Sequence, residues 1–260
     1  MTFATAYLRM ARADAAAKME NRADFGLIML GVIATSLASM LTVYFMLGAS
    51  GTVMGWSRGE IIFMQGFVFT IFAPQSSCFN AMYWVEVWLK NGNFTRFYTR
   101  PGHPLLLLML EKFHPQGFIC LFTGLAYCVF GLWNTPYLTD WLFWLKFAIM
   151  LPFAAIVLLS INMMAVSSCF WFGESFAMQV TVGKLTDMSR YPLELFPKIA
   201  RYAFMALPLA GIVWWPSLAL LRDANVWSTI ALMGLIAAGS LYALHWQWKL
   251  GMRHWAGAGG

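Results

Sequence analysis

Long uncharged apolar runs, separated by short segments that collect charge, glycine and proline, dominate the chain. Phe25 to Leu47 is an unbroken 23-residue run that ends in the helix-breaking group Gly48, Ser50 and Gly51. A hydrocarbon core of ~30 Å takes about 20 such residues in a helix, so this run predicts a first membrane span over residues 25–47. The same pattern predicts spans over 60–84, 116–133, 141–166 and 226–246. Pro74 lies inside the second and predicts a kink, which a lipid-embedded helix tolerates when neighbours satisfy the freed carbonyl. Trp56 precedes that span at the place of an interfacial aromatic anchor. Residues 91–115 form the most polar internal stretch of the first half and read as a connector outside the bilayer. Asn93 to Thr99 predicts a short helix there, ended by Pro101, Gly102 and Pro104. Leu105 to Phe113 is apolar but too short to cross alone.

The fifth region stays open between two readings. Either the mildly apolar 167–190, interrupted by Glu174, Lys184 and Asp187, crosses, or the strongly apolar 199–221, with Pro208 and Pro216, does. Parity needs an odd number of crossings here if both termini share one side. The first 24 residues are no signal peptide, because Arg9, Arg12, Lys18 and Arg22 are spread along them without an apolar core. Phe3, Tyr7 and Met10 recur at helical spacing instead, which predicts an interfacial helix over 1–24.

Composition agrees: 60% hydrophobic and 11% charged side chains, with a mean hydropathy of +0.65, exclude a soluble globule, a disordered chain and a secreted disulfide scaffold. The class is an all-α integral membrane protein, a single transmembrane domain over 1–260. The net charge of +6 is a matter of topology and no nucleic-acid signature. Outside the disputed fifth region, four basic residues precede Phe25, four lie between Lys90 and Lys112 and two follow Trp246, against Arg58 and Arg222 on the other side. That bias predicts cytosolic termini. Lys146, near the start of the fourth span, reads as a snorkelling residue. The four cysteines lack CxxC spacing and read as packing residues, and the four histidines form no HxxxH or HExxH pair, so no metal site is expected. Gln65, Gln75, Ser76, Ser77 and Asn80 make the second span polar. Ser76 and Asn80, one helical turn apart, could line a substrate path, or the group could supply interhelical hydrogen bonds.

Several local sequences, spread over almost the whole chain, carry a family resemblance. They are Glu20-Asn21-Arg22-Ala23-Asp24-Phe25, Gly55-Trp56-Ser57, the connector from Asn91-Gly92 to Arg100-Pro101, Arg190-Tyr191-Pro192, Phe196-Pro197, Leu207-Pro208, Trp215-Pro216 and Trp255-Ala256-Gly257-Ala258-Gly259. In this order and spacing the chain resembles ABC-2-type permeases (type V exporter-like), and more narrowly the viologen-exporter-like group. The resemblance implies a six-span permease of the bacterial inner membrane, with an amino-terminal elbow helix and a coupling helix between spans two and three. For the fifth region it implies a short crossing over 174–190, with the proline-rich 192–221 folded back from outside. It also implies an ABC ATPase dimer and a second permease subunit as partners, as a heterodimer first and a homodimer second. In the coupling segment, which begins at Asn93, Phe94, Phe97 and Tyr98 would supply an aromatic anchor, with Arg96 and Arg100 available for carboxylates of the ATPase.

ATP hydrolysis needs a GxxxxGK[ST] loop, and the chain has none; Gly183-Lys184 lacks both the upstream glycine and the hydroxyl residue. The chain itself is therefore expected to be no enzyme and to hold no cofactor, with ATP and Mg on the partner. Competing readings are a secondary transporter, a structural or assembly subunit of a membrane complex, and a membrane oxidoreductase subunit. A secondary transporter would show mid-membrane charges and a repeat. An oxidoreductase would show paired inward histidines.

Overall fold

The computed structural model describes residues 3–20, 22–46, 51–99, 104–109, 111–222 and 225–254. Its centre is a pair of antiparallel helices, α3 (Arg58–Ser77) and α7 (Gln116–Gly131), the most extensively packed pair in the molecule. Small residues recur every seven positions on both: Gly59, Gly66 and Ala73 on one, Gly117, Gly124 and Gly131 on the other. They meet pairwise across the seam. A Cβ on Gly124 would lie 2.6 Å from the Thr70 backbone nitrogen, one on Gly66 would lie 2.6 Å from the Gly124 carbonyl, and one on Gly117 would lie 2.6 Å from the Ala73 carbonyl. Gly59 and Gly131 face each other at the far end with equal closeness. Lipid tails are as apolar as leucine, so helix association in a bilayer relies on such close approach and dispersion.

Around this pair stand α2 (Arg22–Met46), α8 (Trp141–Ser167), α10 (Phe176–Met188) and α13 (Val226–His254). α8 packs on α13, α3 and α10, while α2 touches α7 and α3. Among the described residues three helical stretches are long and apolar enough to cross a membrane, Ala23–Phe45, Trp141–Phe172 and Val226–His254; counting one bent pair gives four, and α7 is apolar but shorter. The chain is thus a helical, multi-pass membrane protein.

Two expectations from the sequence change here. The second span is not continuous: α3 ends at Ser77, and the chain resumes as a 3-10 turn, Asn80–Trp84, and α4 (Val85–Lys90) at a bend of 62°. Pro74 leaves the helix short of one donor, and the Ser76 and Ser77 hydroxyls take the carbonyls of Phe72 and Ala73. The fifth region keeps both of its readings, since neither run forms a helix long enough to cross by that measure. α10 has 13 residues, and beyond it stand α11 (Lys198–Ala206) and α12 (Trp214–Leu221), joined by 3-10 turns. Trp56, expected at the interface, is buried.

The burial of Trp56 has a local cause. Met54 and Gly55 both hold positive φ and close a two-residue hairpin between β1 (Thr52–Val53) and β2 (Trp56–Ser57). Ser57 and Glu60 then form a capping box at the start of α3. The hairpin turns Trp56 under the 193–214 segment, where Trp56 Nε1 and Trp214 Nε1 both donate to Glu194 Oε2 at 3.2 Å. Arg222 donates to the Gly55 carbonyl, lies 4.1 Å over the Trp56 ring and is 3.6 Å from Glu60. The residues from Tyr191 to Leu221 are therefore a cap on the end of the bundle where α3 begins.

The seam gives a direct test. Replacing Gly124 with Val should abolish recovery of folded protein from membranes, because the added atoms meet the Thr70 and Gly66 backbone as well as the Thr70 hydroxyl. Gly239→Ala, where nothing lies within 4 Å of an added Cβ, should leave recovery and melting temperature unchanged.

Candidate functional site

At the opposite end of the bundle the connector folds into a small body with its own apolar core. It comprises the 3-10 turn Asn80–Trp84, α4, a 3-10 turn at Asn93–Thr95, α5 (Arg96–Thr99) and α6 (Pro104–Met109). Gly92, at φ 70°, supplies the left-handed turn between α4 and Asn93. Phe94 and Phe97 are both 0% exposed. Their rings lie 5.8 Å apart; Phe97 meets Trp88 at 5.2 Å, and Phe94 meets Phe170 at 5.9 Å and Trp248 at 6.1 Å. Leu105, Leu108 and Met109 of α6 close the cluster. The short apolar run after the prolines thus packs against the connector's aromatics. The same cluster seats the connector on α9 (Cys169–Phe172) and on the final turns of α13.

Each residue expected in the coupling segment now has a place. Phe94 and Phe97 point inward and are no anchor for a partner in this structure, because the connector needs them for its own core. Arg96 is half-buried: it pairs with Glu111 at 3.1 Å and lies 4.9 Å from both the Trp88 and Phe97 rings. Asn93 is exposed, together with Thr95 and Thr99. Tyr98 is in α5, its side chain lying outside the description, and Arg100 lies outside the described residues. The outward face at this tip is consequently polar and uncharged at Asn93, Thr95 and Thr99, flanked by Arg96.

Ser76 and Asn80 do not share a helical face. The helix that would have aligned them ends between them, and the Ser76 hydroxyl is buried and spent on its own backbone. The polar residues that do meet are Gln75, Tyr83 and Asn162. Gln75 Nε2 donates to Tyr83 Oη at 2.6 Å across the bend, and Asn162 Nδ2 donates to Gln75 Oε1 at 3.3 Å. Gln65, also buried, accepts from Ser39 at 3.3 Å and donates to the Arg190 carbonyl at 3.5 Å. Interhelical hydrogen bonding therefore accounts for Gln65 and Gln75. Asn162 and Tyr83 were missed in the sequence, where a lone polar residue in an apolar run names no partner.

Two further ties hold the connector. Glu86 Oε2 accepts from both Ser175 N and Ser175 Oγ at 2.9 Å, while Lys90 bridges Glu86 at 2.7 Å and Glu174 at 3.4 Å. This fixes the start of α10. On the other side α1 (Phe3–Glu20) grips the connector's exit: Asp14 accepts from the Phe113 N–H at 3.0 Å and Lys18 donates to the Phe113 carbonyl at 3.1 Å. The next residue, His114, donates its backbone N–H to the Ser77 carbonyl at 3.0 Å. Burial, with Lys18 and Lys112 nearby, lowers the His114 imidazole to about 4, against a smaller opposing pull from Asp14. Burial likewise lowers Lys18 to about 8, opposed by Asp14 and reinforced by Lys112. Among the described residues no group of histidine, cysteine and acidic side chains could hold a metal ion.

A multi-pass helical membrane chain with a folded connector on one face fits the membrane-spanning part of a transporter. The family comparison agrees: residues 32–259 match the model of the ABC-2 family transporter proteins, and the chain belongs to that family. No curated protein and no solved structure matches it. Permeases of this family work with an ABC ATPase partner.

A pH prediction follows from His114. Its folded pKa lies below the ordinary value, so the unfolded loop binds the proton more readily between about pH 6.5 and 4. The contact of α1 and the connector should loosen as pH falls through that window, with Lys18, Lys112, Asp14 and Asp24 the charged groups around it. Hydrogen exchange at residues 111–115, corrected for intrinsic rate, should quicken on going from pH 7 to 4.5. His114→Gln should remove that dependence.

Proposed function

We propose that this chain is the membrane-spanning subunit of an ATP-driven exporter, with the connector as the docking and coupling element for a separate ABC ATPase dimer. The observation that carries this reading is the connector itself. It is too well packed for a loop: Phe97 at full burial fills its own core, Phe94 at full burial binds it to α9 and α13, Glu86 binds it to α10, and α1 clamps its exit. A segment fastened to so many helices can pass a push from outside to all of them. Its exposed tip, Asn93, Thr95 and Thr99 beside Arg96, is the face a partner would meet.

Six crossings with both termini in the cytosol are part of the proposal. The basic residues of the terminal segments and the connector support the orientation. The path of α10 supports its role as a short fifth crossing. It begins at Ser175, tied to Glu86 of the connector, and its far end delivers the Arg190 carbonyl to Gln65, near the capped end of α3. The cap over 191–221 then corresponds to a region folded back on the outer side. On this reading the partners are the ATPase dimer, carrying ATP and Mg, and a second permease subunit, as a heterodimer before a homodimer, in a bacterial inner membrane. The likeness to viologen-exporter-like permeases rests on the local sequences alone and leaves the substrate unnamed.

The test is co-purification. Tagged full-length chain from native membranes should bring down a P-loop ATPase, and detergent-stable complexes should hydrolyse ATP. Asn93→Glu with Thr95→Arg should lower ATPase recovery about tenfold or more, the effect of ~1.4 kcal/mol, with membrane insertion unchanged. Phe94→Ala should instead lower recovery of the chain itself, since emptying a buried phenylalanine site costs about 3–5 kcal/mol. Solute movement by the isolated chain without ATP would overturn the proposal.

A further inference from the structure

Between α1, the first turns of α2 and the connector's exit lies a cavity of about 270 Å³, lined by Lys18, Phe25, Ile28, Met29, His114 and Gln116 among others. Its two sides differ in chemistry. Phe25, Ile28 and Met29, on the first turns of a membrane-spanning helix, make an apolar wall that continues onto the exposed side chains of Leu27 and Ile28. Lys18, His114 and Gln116 make a polar mouth, and Lys112 stands close enough to Lys18 to repel it.

We infer that this cavity binds one anionic phospholipid, its phosphate at Lys18 and its first methylenes along Phe25, Ile28 and Met29. Charge and depth argue for that occupant. Lys18 is tethered to the Phe113 carbonyl, so its ammonium is held at the mouth with donor capacity left over. Of the acidic groups nearby, Asp14 receives the Phe113 N–H, and Asp24, itself part of the lining, takes part in an interaction within the protein. An ammonium flanked by Lys112 gains from a phosphate what its own carboxylates leave unmet. The apolar wall selects a lipid over a free anion, because it begins where the span enters the bilayer. Burial would otherwise leave Lys18 easier to deprotonate, down to about 8, and a bound phosphate opposes that shift. The consequence is that α1 is fastened by protein on one side and by lipid on the other. The inference uses the membrane-spanning character of α2 alone and is independent of the ATPase and of transport direction.

The test is native mass spectrometry of the full chain released from micelles doped with equal phosphatidylglycerol and phosphatidylcholine. One phosphatidylglycerol should be retained over phosphatidylcholine. Lys18→Gln should reduce that preference about fivefold, as expected for one lysine near a charged surface, and Lys18→Arg should restore it. Ile28→Trp, which fills the apolar side from a position 43% exposed, should displace the lipid without disturbing the grip on Phe113. Lys249→Gln, on the terminal helix, should change nothing. Equal retention of the two lipids, or retention unaffected by both Lys18→Gln and Ile28→Trp, overturns the inference. So does displacement by millimolar inorganic phosphate, which would make the site one for a free anion.

Discussion

The backbone-to-backbone contact of α3 and α7 is the constraint on which the remaining architecture depends. Three small residues on each helix, spaced by seven, keep one stripe of each turned to the other, as a seven-residue period does through left-handed winding. Helices this close share no side-chain layer that could yield. A slip by one residue along the seam would set a side chain against a carbonyl, so the pair moves as one body or not at all. Dispersion between backbones gains its strength from proximity, and in a bilayer it has no competing hydrophobic term to support it.

The two ends of that rigid pair are finished in different chemistry. At the start of α3 the closure adds polar ties to apolar packing: Glu194 holds two indoles, Arg222 reaches Gly55, Trp56 and Glu60 together, and Leu193, Ile212, Val213 and Leu220 are buried in the main core. At the far end the closure is aromatic, through Phe94, Phe97, Trp88, Phe170 and Trp248. Between α3 and the connector stands the bend, and its fixings are carboxamides. Gln75 carries hydrogen bonds to both Tyr83 and Asn162, which costs little to maintain where no water competes and much to break. The bend is therefore a set angle and no free hinge.

What the sequence made legible follows the strength of each signal. The uncharged runs expected at 25–47 and 226–246 lie on α2, described to Met46, and on α13 because length and apolarity are local properties. The polar connector and its short helix near Asn93 to Thr99 were visible for the same reason. The inward turn of Phe94 and Phe97 was not, because an aromatic at the tip of a loop looks alike whether it meets a partner or its own chain. What decides is Trp248 and Phe170, far along the sequence. The end of α3 at Ser77 also escaped, since Pro74 announces a kink but not the serines and the distant Asn162 that complete it. The glycine period at 59, 66, 117, 124 and 131 was readable in principle; the antiparallel match of its two halves becomes evident once α3 and α7 are seen side by side.

A rigid pair, a fixed bend and a packed connector together restrict how force could travel. On the proposed reading a push at Asn93 and Thr95 cannot be absorbed locally, because the connector has a core and the bend is pinned. Nor can α3 slide on α7. The displacement that remains is a tilt of α3, α7 and the connector that carries with it the elements the connector holds, α9 and the end of α13 through Phe94 and the start of α10 through Glu86. The capped end would feel such a tilt as strain on the hydrogen bonds of Glu194 and the contacts of Arg222, groups spread over the hairpin, α3, α12 and the segment after α10. Parting the cap would cost both those polar ties and the burial of Leu193, Ile212, Val213 and Leu220 in the main core, so on this reading the cap resists the tilt while the α3 and α7 seam stays whole.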